Sequence, residues 1–242
     1  MFLTSEIKNI QLINKCLRIL LVSFYLSACT SSIIELGPEG MGYDFFPLEI
    51  GDYKEYKVEN IKYRILGDHD TSYYLLKEVV ADTFRNQAGN LVYKLNRYKS
   101  DPNNIDWNLD SIWTATKNIT NVVVVENNIP YARLNFPVRD NYNWDGNAFN
   151  IMDYDDYIYI DAYKPIEFEE KVYNSTVKVI HEETLDYIVS TNIRNEIYAE
   201  NVGLIYKETI ILHYCTENEC LGDTIIEQGV NYKQELIDYG KE

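Results

Sequence analysis

The chain is poor in proline and glycine, with 6 and 11 among its 242 residues, and it contains 22 tyrosines. Disordered segments are depleted in aromatic and β-branched residues, so this composition excludes a largely disordered protein. Basic residues are scarce as well, since 22 lysines and arginines face 38 aspartates and glutamates and leave a formal net charge of −16. A surface of that sign repels phosphate backbones, and we expect no nucleic acid partner.

The signatures of common catalytic sites are missing. The sequence contains no Gly-x-Ser-x-Gly elbow, phosphate-binding loop, dinucleotide fingerprint or His-Glu-x-x-His motif. His181 is followed by two glutamates, but the second histidine of the zinc motif is absent, and His69 and His213 have no partner that spacing identifies. We therefore predict no cofactor and no metal centre, and we expect catalysis to be the less favoured function.

Long apolar runs are missing except at the amino terminus, where the run from Leu17 to Ala28 comes after Lys8 and Lys15 and has Arg18 at its start. The run is shorter than the about 20 residues that span a bilayer, and it suits the apolar segment of a secretory signal. It ends in Leu26-Ser27-Ala28-Cys29, which resembles the bacterial lipobox, whose cysteine is acylated. We predict a signal peptide at 1–28, a lipidated tether at 29–44 and a single β-rich domain at 45–242. The alternative is an uncleaved amino-terminal anchor helix.

Cleavage before Cys29 removes three cations and one carboxylate and leaves a formal charge of −18. Anionic headgroups attract basic segments, so the acidic domain needs acyl chains such as palmitate for membrane attachment. No acidic cluster follows Cys29 directly, although some surface-exported lipoproteins of the Bacteroidetes type carry one there. We predict a location in the cell envelope, on the outer membrane and facing the periplasm.

From Phe45 onward the pattern is typical of short strands broken by polar turns. Arg97 falls on the same strand face as Leu95, with Asn96 and Tyr98 on the other face. The segment 192–200 has a composition that suits one short helix. About ten strands without helical spacers predict a mainly β fold: an antiparallel curved sheet, a barrel or half-barrel, with at most one or two short helices. The expected strands are 53–64, 73–85, 91–98, 111–117, 121–126, 131–136, 153–161, 175–181, 204–214 and 232–239.

Four motifs are spread along the chain: Phe46-Pro47-Leu48-x-x-Gly51, Trp144-Asp145-Gly146-Asn147, the run Asn201-Val202-Gly203-Leu204-Ile205-Tyr206-Lys207-Glu208, and Gly229-x-x-Tyr232-x-Gln234-x-Leu236. Together they resemble uncharacterised envelope lipoproteins of the Bacteroidetes type. The resemblance implies envelope placement and a β-rich fold, and it brings no catalytic residues. Members usually have tryptophan where this chain has Tyr53 or Tyr56. Each motif also has a plain backbone interpretation, because glycine and proline most often shape turns and strand ends.

Two cysteines remain as free thiols once Cys29 is acylated and Cys16 has left with the signal peptide. Cys215 and Cys220 flank the polar loop 216–219, which is short enough to bring them to the separation that a disulfide needs. Exported domains pair such cysteines, and we predict a Cys215–Cys220 disulfide. The alternative is a metal site that also uses His213.

Two weaker site hypotheses rest on short patterns. The carboxylates of Asp153, Asp155, Asp156 and Asp161 are close enough in sequence for a cation site, although a solvated strand face explains them as well. Ser111 and Thr224 each follow an aspartate and precede an isoleucine, a pattern that resembles the O-glycosylation sites of exported Bacteroidetes proteins. A plain turn explains these two segments equally well.

Three functions are compatible with the sequence. We favour an envelope lipoprotein with a non-catalytic binding or structural role, whose partner is an envelope protein, a glycan or a lipid. The second is a carrier of lipid or another apolar ligand inside a curved sheet. The third is a carbohydrate-active hydrolase, which needs two carboxyl groups about 5 Å or 6.5–9.5 Å apart. A filled interior, an apolar cavity and a cleft with facing carboxylates would distinguish them.

Overall fold

Twelve antiparallel strands form a single sheet in the computed structural model, which describes residues 40–65, 68–186 and 188–242. Cys29, the signal peptide and most of the tether lie outside the described residues. The strands are β1 (Asp52–Tyr63), β2 (His69–Arg85), β3 (Leu91–Asp101), β4 (Asn104–Lys117), β5 (Asn121–Glu126), β6 (Ile129–Asn135), β7 (Asn143–Asp145), β8 (Asp156–Phe168), β9 (Lys171–Asp186), β10 (Ser190–Ala199), β11 (Gly203–Tyr214) and β12 (Ile226–Lys241).

The sheet order is β6-β5-β4-β3-β2-β1-β12-β11-β10-β9-β8-β7. Strands that follow one another in the chain are therefore neighbours, and the first and last strands pair with each other at the centre of the sheet. The two edge strands also meet, because the Ala132 N–H donates to the Gly146 carbonyl at 2.9 Å and the Trp144 indole donates to the Ala132 carbonyl at 2.8 Å. The sheet thus curves into a nearly closed barrel.

An apolar and aromatic cluster fills part of the barrel. Its fully buried members include Leu134, Tyr159 and Val179, which come from different strands. The 3-10 turn Tyr43–Phe45 places Phe45 in this cluster with no exposed surface. The Lys117 ammonium donates to the carbonyls of Tyr43 and Phe46 at 3.3 and 2.9 Å, and so holds the segment before β1 against β4.

The predicted fold class is confirmed, with two corrections to its elements. The helix predicted at 192–200 is wrong, because this segment is strand β10 and pairs with β9 and β11 along its length. Gly203, expected near the end of that helix, instead has a φ of +92° in the turn that begins β11. The three-residue strand β7 was not predicted. Within the described ranges, no helix is long and apolar enough to cross a membrane.

Candidate functional site

A cavity of about 390 Å³ lies inside the barrel beside the apolar cluster. Its wall is formed by β1 to β6 and β10 to β12, together with Phe46 and Pro47 from the segment before β1. Ten of its lining residues carry charge: the cations are Lys54, Lys62, Arg97, Lys99, Arg133 and Lys207, and the anions are Glu78, Asp110, Glu126 and Glu196. The cavity is therefore far more polar than an ordinary protein core.

Strand register explains why charged side chains meet here. Residues directly opposite each other in an antiparallel pair project to the same face. Glu78 on β2 lies between Lys54 on β1 and Arg97 on β3, and on the other side of the barrel Lys207 lies opposite Glu196. The result is a belt of polar side chains that crosses nine neighbouring strands.

The first part of this belt, which we call the Arg97 group, consists of Lys54, Glu78, Arg97 and Trp113. The Arg97 guanidinium stacks on the Trp113 ring, with its carbon 3.5 Å from the ring centroid. Glu78 is the carboxylate nearest to both cations, at 3.5 Å from Arg97 Nε and 4.0 Å from Lys54 Nζ. These separations exceed those of good charge-assisted hydrogen bonds.

Several donors of the Arg97 group lack acceptors among the described residues. Arg97 Nε and Trp113 Nε1 are buried without a hydrogen-bond partner. Buried N–H groups without partners are costly, because they have lost water and gained nothing in return. Arg97 and Trp113 line the cavity, but these two nitrogens have almost no accessible surface, so a bound molecule would meet the terminal guanidinium N–H groups of Arg97 and the Lys54 ammonium first.

The second part, the Glu196 group, consists of Glu126, Arg133, Glu196 and Lys207. Glu196 is 1% exposed, and its carboxylate lies 2.9 Å from Lys207 Nζ and 3.3 Å from Arg133. Arg133 also donates to Glu126 at 2.9 Å through Nε. Burial acts to raise the pKa of Glu196, but Lys207 and Arg133 outweigh it and hold that pKa below its ordinary range. The carboxylates of Glu126 and Glu196 are therefore both paired with cations.

His181 lies behind the Glu196 group rather than at the cavity wall. Its ring stacks on Tyr157 at 3.7 Å between centroids, and its Nε2 is 3.7 Å from Glu196 without a hydrogen bond. Burial, with further help from Arg133 and Lys207, lowers the pKa of His181 to about 3 despite the opposing charge of Glu196. At neutral pH this histidine is an uncharged packing residue.

Exposure distinguishes the opening of the cavity from its inner end. Lys62 is exposed, and the side chains of Lys99 and Asp110 are 43% and 33% exposed while they pair at 2.9 Å. The side chains of Arg133 and Glu196 are only 8% and 1% exposed. The cavity therefore opens between Lys62 and Lys99, and the charged side chains of both the Arg97 group and the Glu196 group lie inside it, with at most 20% exposure.

Three of the four sequence motifs described above meet at this cavity. Phe46 and Pro47 line it, as do Gly203, Leu204 and Lys207 from the motif at 201–208 and Val230, Tyr232 and Gln234 from the motif that begins at Gly229. At Gly203 an added Cβ would lie 3.4 Å from the Pro47 ring and 3.7 Å from Lys54 Nζ, so glycine leaves room beside the cavity as well as allowing the turn. The Trp144-Asp145-Gly146-Asn147 motif lies elsewhere, where β6 and β7 meet.

The four aspartates of the hypothetical cation site are engaged by different partners. Asp155 forms a bidentate pair with Arg194 at 2.7 and 2.9 Å, Asp161 pairs with Lys164 at 2.6 Å, and Asp156 accepts from Tyr154 and Asn143. For Asp153 the structure shows only a backbone carbonyl bond. No group of three or more potential metal ligands occurs in the described part of the chain.

The other predicted sites are spread over the surface. Cys215 and Cys220 form the predicted disulfide, with a Cα separation of 5.9 Å. Ser111 lies on β4 and donates to Asp110, and Thr224 is exposed with a left-handed φ of +55°. Cys29 is outside the described residues. Among the described positions, Cys215, Cys220, Ser111 and Thr224 do not contribute to the cavity wall.

Sequence reasoning did not identify the charged residues of the cavity. A partial signal was present, because Arg97 shares the alternation of Leu95, and a charge in phase with buried residues marks an inward-facing position. The helix prediction at 192–200 concealed Glu196, because a helical period and a strand period place the same side chain on different faces. The meeting of β3 with β10 across the barrel depends on closure, which no local pattern encodes.

No family model matches the chain, and no curated protein is similar to it at a significant level. Two solved structures share part of its fold. One is described as a "putative exported protein with YmcC-like fold" from Bacteroides fragilis, at 13% identity and a TM-score of 0.43 over 81% of this chain and 99% of that chain. The other is a "putative lipoprotein" from Parabacteroides distasonis, at 12% identity and a TM-score of 0.41 over 81% and 98%.

Proposed function

We propose that this protein is a non-catalytic binding lipoprotein of the bacterial cell envelope, which takes a small ligand into the cavity of its barrel. The observation that carries the proposal is a cavity of about 390 Å³ whose wall holds two buried cations, Lys54 and Arg97, that share one carboxylate and make no hydrogen bond to the described residues. Ligand pockets span about 300–1,000 Å³, so the space suits a small molecule.

The charged lining argues against two alternatives, a purely structural domain and a carrier of apolar ligands. A purely structural domain would fill its interior, because packed cores contain few voids larger than a water molecule. A carrier of apolar ligands would present few charged side chains, whereas this wall combines a mostly apolar surface with ten charged residues. Apolar ligands would strip water from those charges and give no hydrogen bonds in exchange.

The state of the carboxylates opposes the hydrolase alternative. A glycosidase needs a general acid whose pKa is raised, so that it is protonated at neutral pH. Glu126 and Glu196 are instead bound to Arg133, and Lys207 reinforces this at Glu196. Burial raises the pKa of Glu126, but Arg133 more than compensates and lowers it overall. Both groups are thus ionised acceptors, which suits cation pairing and not proton donation.

Placement in the envelope rests on the amino-terminal sequence. Acyl chains on Cys29 would hold the domain on the outer membrane, and the formal charge of −16 leaves little attraction to anionic headgroups without them. A tethered domain needs no enzymatic turnover to act; it needs only to capture its ligand near the membrane.

A variant with a blocked cavity tests the binding proposal. Thr209 lines the cavity on β11 opposite Tyr232, so Thr209→Trp places a large side chain in the ligand space. Thr71→Trp is the matched control, because Thr71 is exposed on β2 and does not line the cavity. The two variants and the wild-type domain are screened by thermal shift against a library of envelope metabolites and glycan fragments.

We expect compounds that raise the Tm of the wild type and of Thr71→Trp but leave Thr209→Trp unchanged, since ligands stabilise only the state that binds them. Calorimetric titration of each hit then measures its Kd. A library in which every hit stabilises Thr209→Trp as strongly as the wild type, or in which no hit occurs, contradicts the proposal.

A further inference from the structure

The cavity has the opposite charge balance to the chain that surrounds it. The whole chain carries a formal charge of −16, yet the cavity wall has six cations and four carboxylates. A low-dielectric wall focuses the field of such charges on the space that it encloses. The interior is therefore the place in this acidic molecule where a small anion is favoured.

Three of the six cations have no carboxylate within 3.3 Å among the described residues, and two of these, Lys54 and Arg97, are buried. Lys99, Arg133 and Lys207 each lie within 3.3 Å of a carboxylate, and Lys62 is at the exposed opening. Lys54 and Arg97 share Glu78 at 4.0 and 3.5 Å, and neither makes a hydrogen bond within the described residues. Two buried cations thus face one carboxylate and retain a positive charge and several unused donors.

The geometry of these donors suits an oxyanion. The guanidinium offers parallel N–H groups that match carboxylate, sulfate or phosphate oxygens, and the Lys54 ammonium adds a point charge. Stacking on Trp113 fixes the plane of the Arg97 guanidinium, and the Trp113 side chain lines the cavity at the same place. A neutral molecule would leave the extra positive charge of the group unpaired.

The remaining wall suits a ring. Tyr74, Tyr198 and Tyr232 line the cavity with Trp113, and aromatic side chains pack against the flat faces of rings. Gln234 on β12 and Thr209 on β11 add neutral polar groups to the wall. An anion with a ring of about six atoms would fit in the cavity.

We propose that the cavity selects a small organic oxyanion, a carboxylate, sulfate ester or phosphate ester borne on a ring, and that Arg97 and Lys54 bind its charged group. This inference rests on the proposed function, because it specifies the ligand class of the same cavity. The charged group lies against the Arg97 group, and the ring lies among the tyrosines.

The indole signal of Trp113 provides a direct test. The chain has three tryptophans, so a ¹H–¹⁵N spectrum of the domain shows three indole N–H signals, which are assigned by single Trp→Phe variants. The probes are glucuronate, glucose 6-sulfate, glucose 6-phosphate and benzoate, and the neutral counterparts are glucose and benzyl alcohol. Comparison of the four anions shows which oxyanion is preferred.

We expect at least one anionic probe to shift the Trp113 indole signal in a saturable way, while its neutral counterpart does not. The indole signal of Trp144, whose N–H donates to the Ala132 carbonyl at 2.8 Å, should not shift. Loss of one charged hydrogen-bonding partner should weaken binding about tenfold or more, so Arg97→Met and Lys54→Met should each do so. Lys94→Met is the matched control, because Lys94 is on the same strand as Arg97 and outside the cavity wall.

Three results would overturn the inference: equal shifts by neutral and anionic probes, unchanged affinity in both methionine variants, or silence of every anionic probe. If Arg97→Met fails to fold, the affinity of Lys54→Met alone decides whether loss of a cation weakens binding. The proposed function fails separately, when no compound distinguishes Thr209→Trp from Thr71→Trp. A neutral ligand that Thr209→Trp blocks would retain the binding function and reject the oxyanion.

Discussion

At the scale of single residues, the molecule tolerates buried charge by pairing it. Glu196 has 1% of its surface exposed and is contacted by Lys207, Arg133 and Tyr198. Buried ion pairs of this kind are often no more stable than apolar residues of the same volume, because desolvation cancels much of the attraction. The Glu196 group is therefore poorly explained by stability alone, and its position at the inner end of a cavity is consistent with a binding role.

Acid sensitivity is the first prediction at this scale. The pKa of His181 is lowered from 6.5 to about 3 in the folded state, chiefly by burial. The unfolded chain therefore binds one more proton than the folded chain between these values, and the free energy of unfolding falls as pH drops below 6.5. His181→Phe keeps the stacking on Tyr157 and removes this proton, so its stability should depend less on pH.

Urea unfolding at pH 6 and pH 5 measures the effect. Between these values His181 should account for about 1 kcal/mol of lost stability in the wild type, and this share should vanish in His181→Phe. His213→Phe is the control, since His213 is exposed. Equal losses in the wild type and His181→Phe would show that His181 titrates normally in the folded state.

At the scale of elements, the sequence predicted hairpins well and one segment wrongly. The polar turn at 86–90 and the alternation that follows it are local signals, and β2 and β3 form the expected hairpin. The segment of β10 places Glu196 at an inward position where a strand in an apolar core would have an apolar residue, and it buries the polar Asn195, bonded to Glu208, beside it. The apolar alternation was obscured because the inward position faces an ionic interior.

The contact between β6 and β7 is the weakest part of the barrel and allows a second prediction. A Cβ added at Gly146 would lie 2.3 Å from the Tyr157 ring, and the Gly146 carbonyl accepts the bond from Ala132 that links the edges. Overpacking of this kind costs about 1–3 kcal/mol. We expect Gly146→Ala to lower the free energy of unfolding by an amount near the top of that range.

Gly89→Ala is the comparison for this variant. Gly89 has a φ of +82° in an exposed turn with no atom within 4 Å of an added Cβ. Gly89→Ala should therefore lower the free energy of unfolding only by about 1 kcal/mol of backbone strain. Chemical denaturation gives both values, and Trp144 fluorescence reports the contact between the edges. A smaller loss in Gly146→Ala than in Gly89→Ala would contradict this account of the closure.

At the scale of the whole molecule, closure joins residues that are far apart in sequence. β1 and β12 pair over their full lengths, although about 170 residues separate them. The number of strands and the curved sheet could be predicted from composition and turn spacing, whereas this pairing depends on register between distant segments. The cavity forms only because strands that are distant in sequence meet, which is why no sequence motif alone revealed it.

Membrane attachment is the prediction that concerns the complete chain. Cys29→Ser removes the thiol that is acylated in lipoproteins, so the protein should either stay as an uncleaved precursor or move to soluble fractions. Membrane fractionation with mass spectrometry of the amino terminus measures both outcomes. Cys215→Ser with Cys220→Ser is the control, because it removes the disulfide and leaves Cys29 intact. Normal processing and unchanged attachment of Cys29→Ser would refute the lipoprotein assignment.

The central claim is that the barrel binds a ligand in its cavity. Native mass spectrometry of protein released from the envelope of its own bacterium tests this claim most directly. The wild type and Thr71→Trp should each carry one small molecule per chain, and Thr209→Trp should carry none, because its indole occupies the cavity. Identical spectra for Thr209→Trp and the wild type would contradict binding inside the barrel.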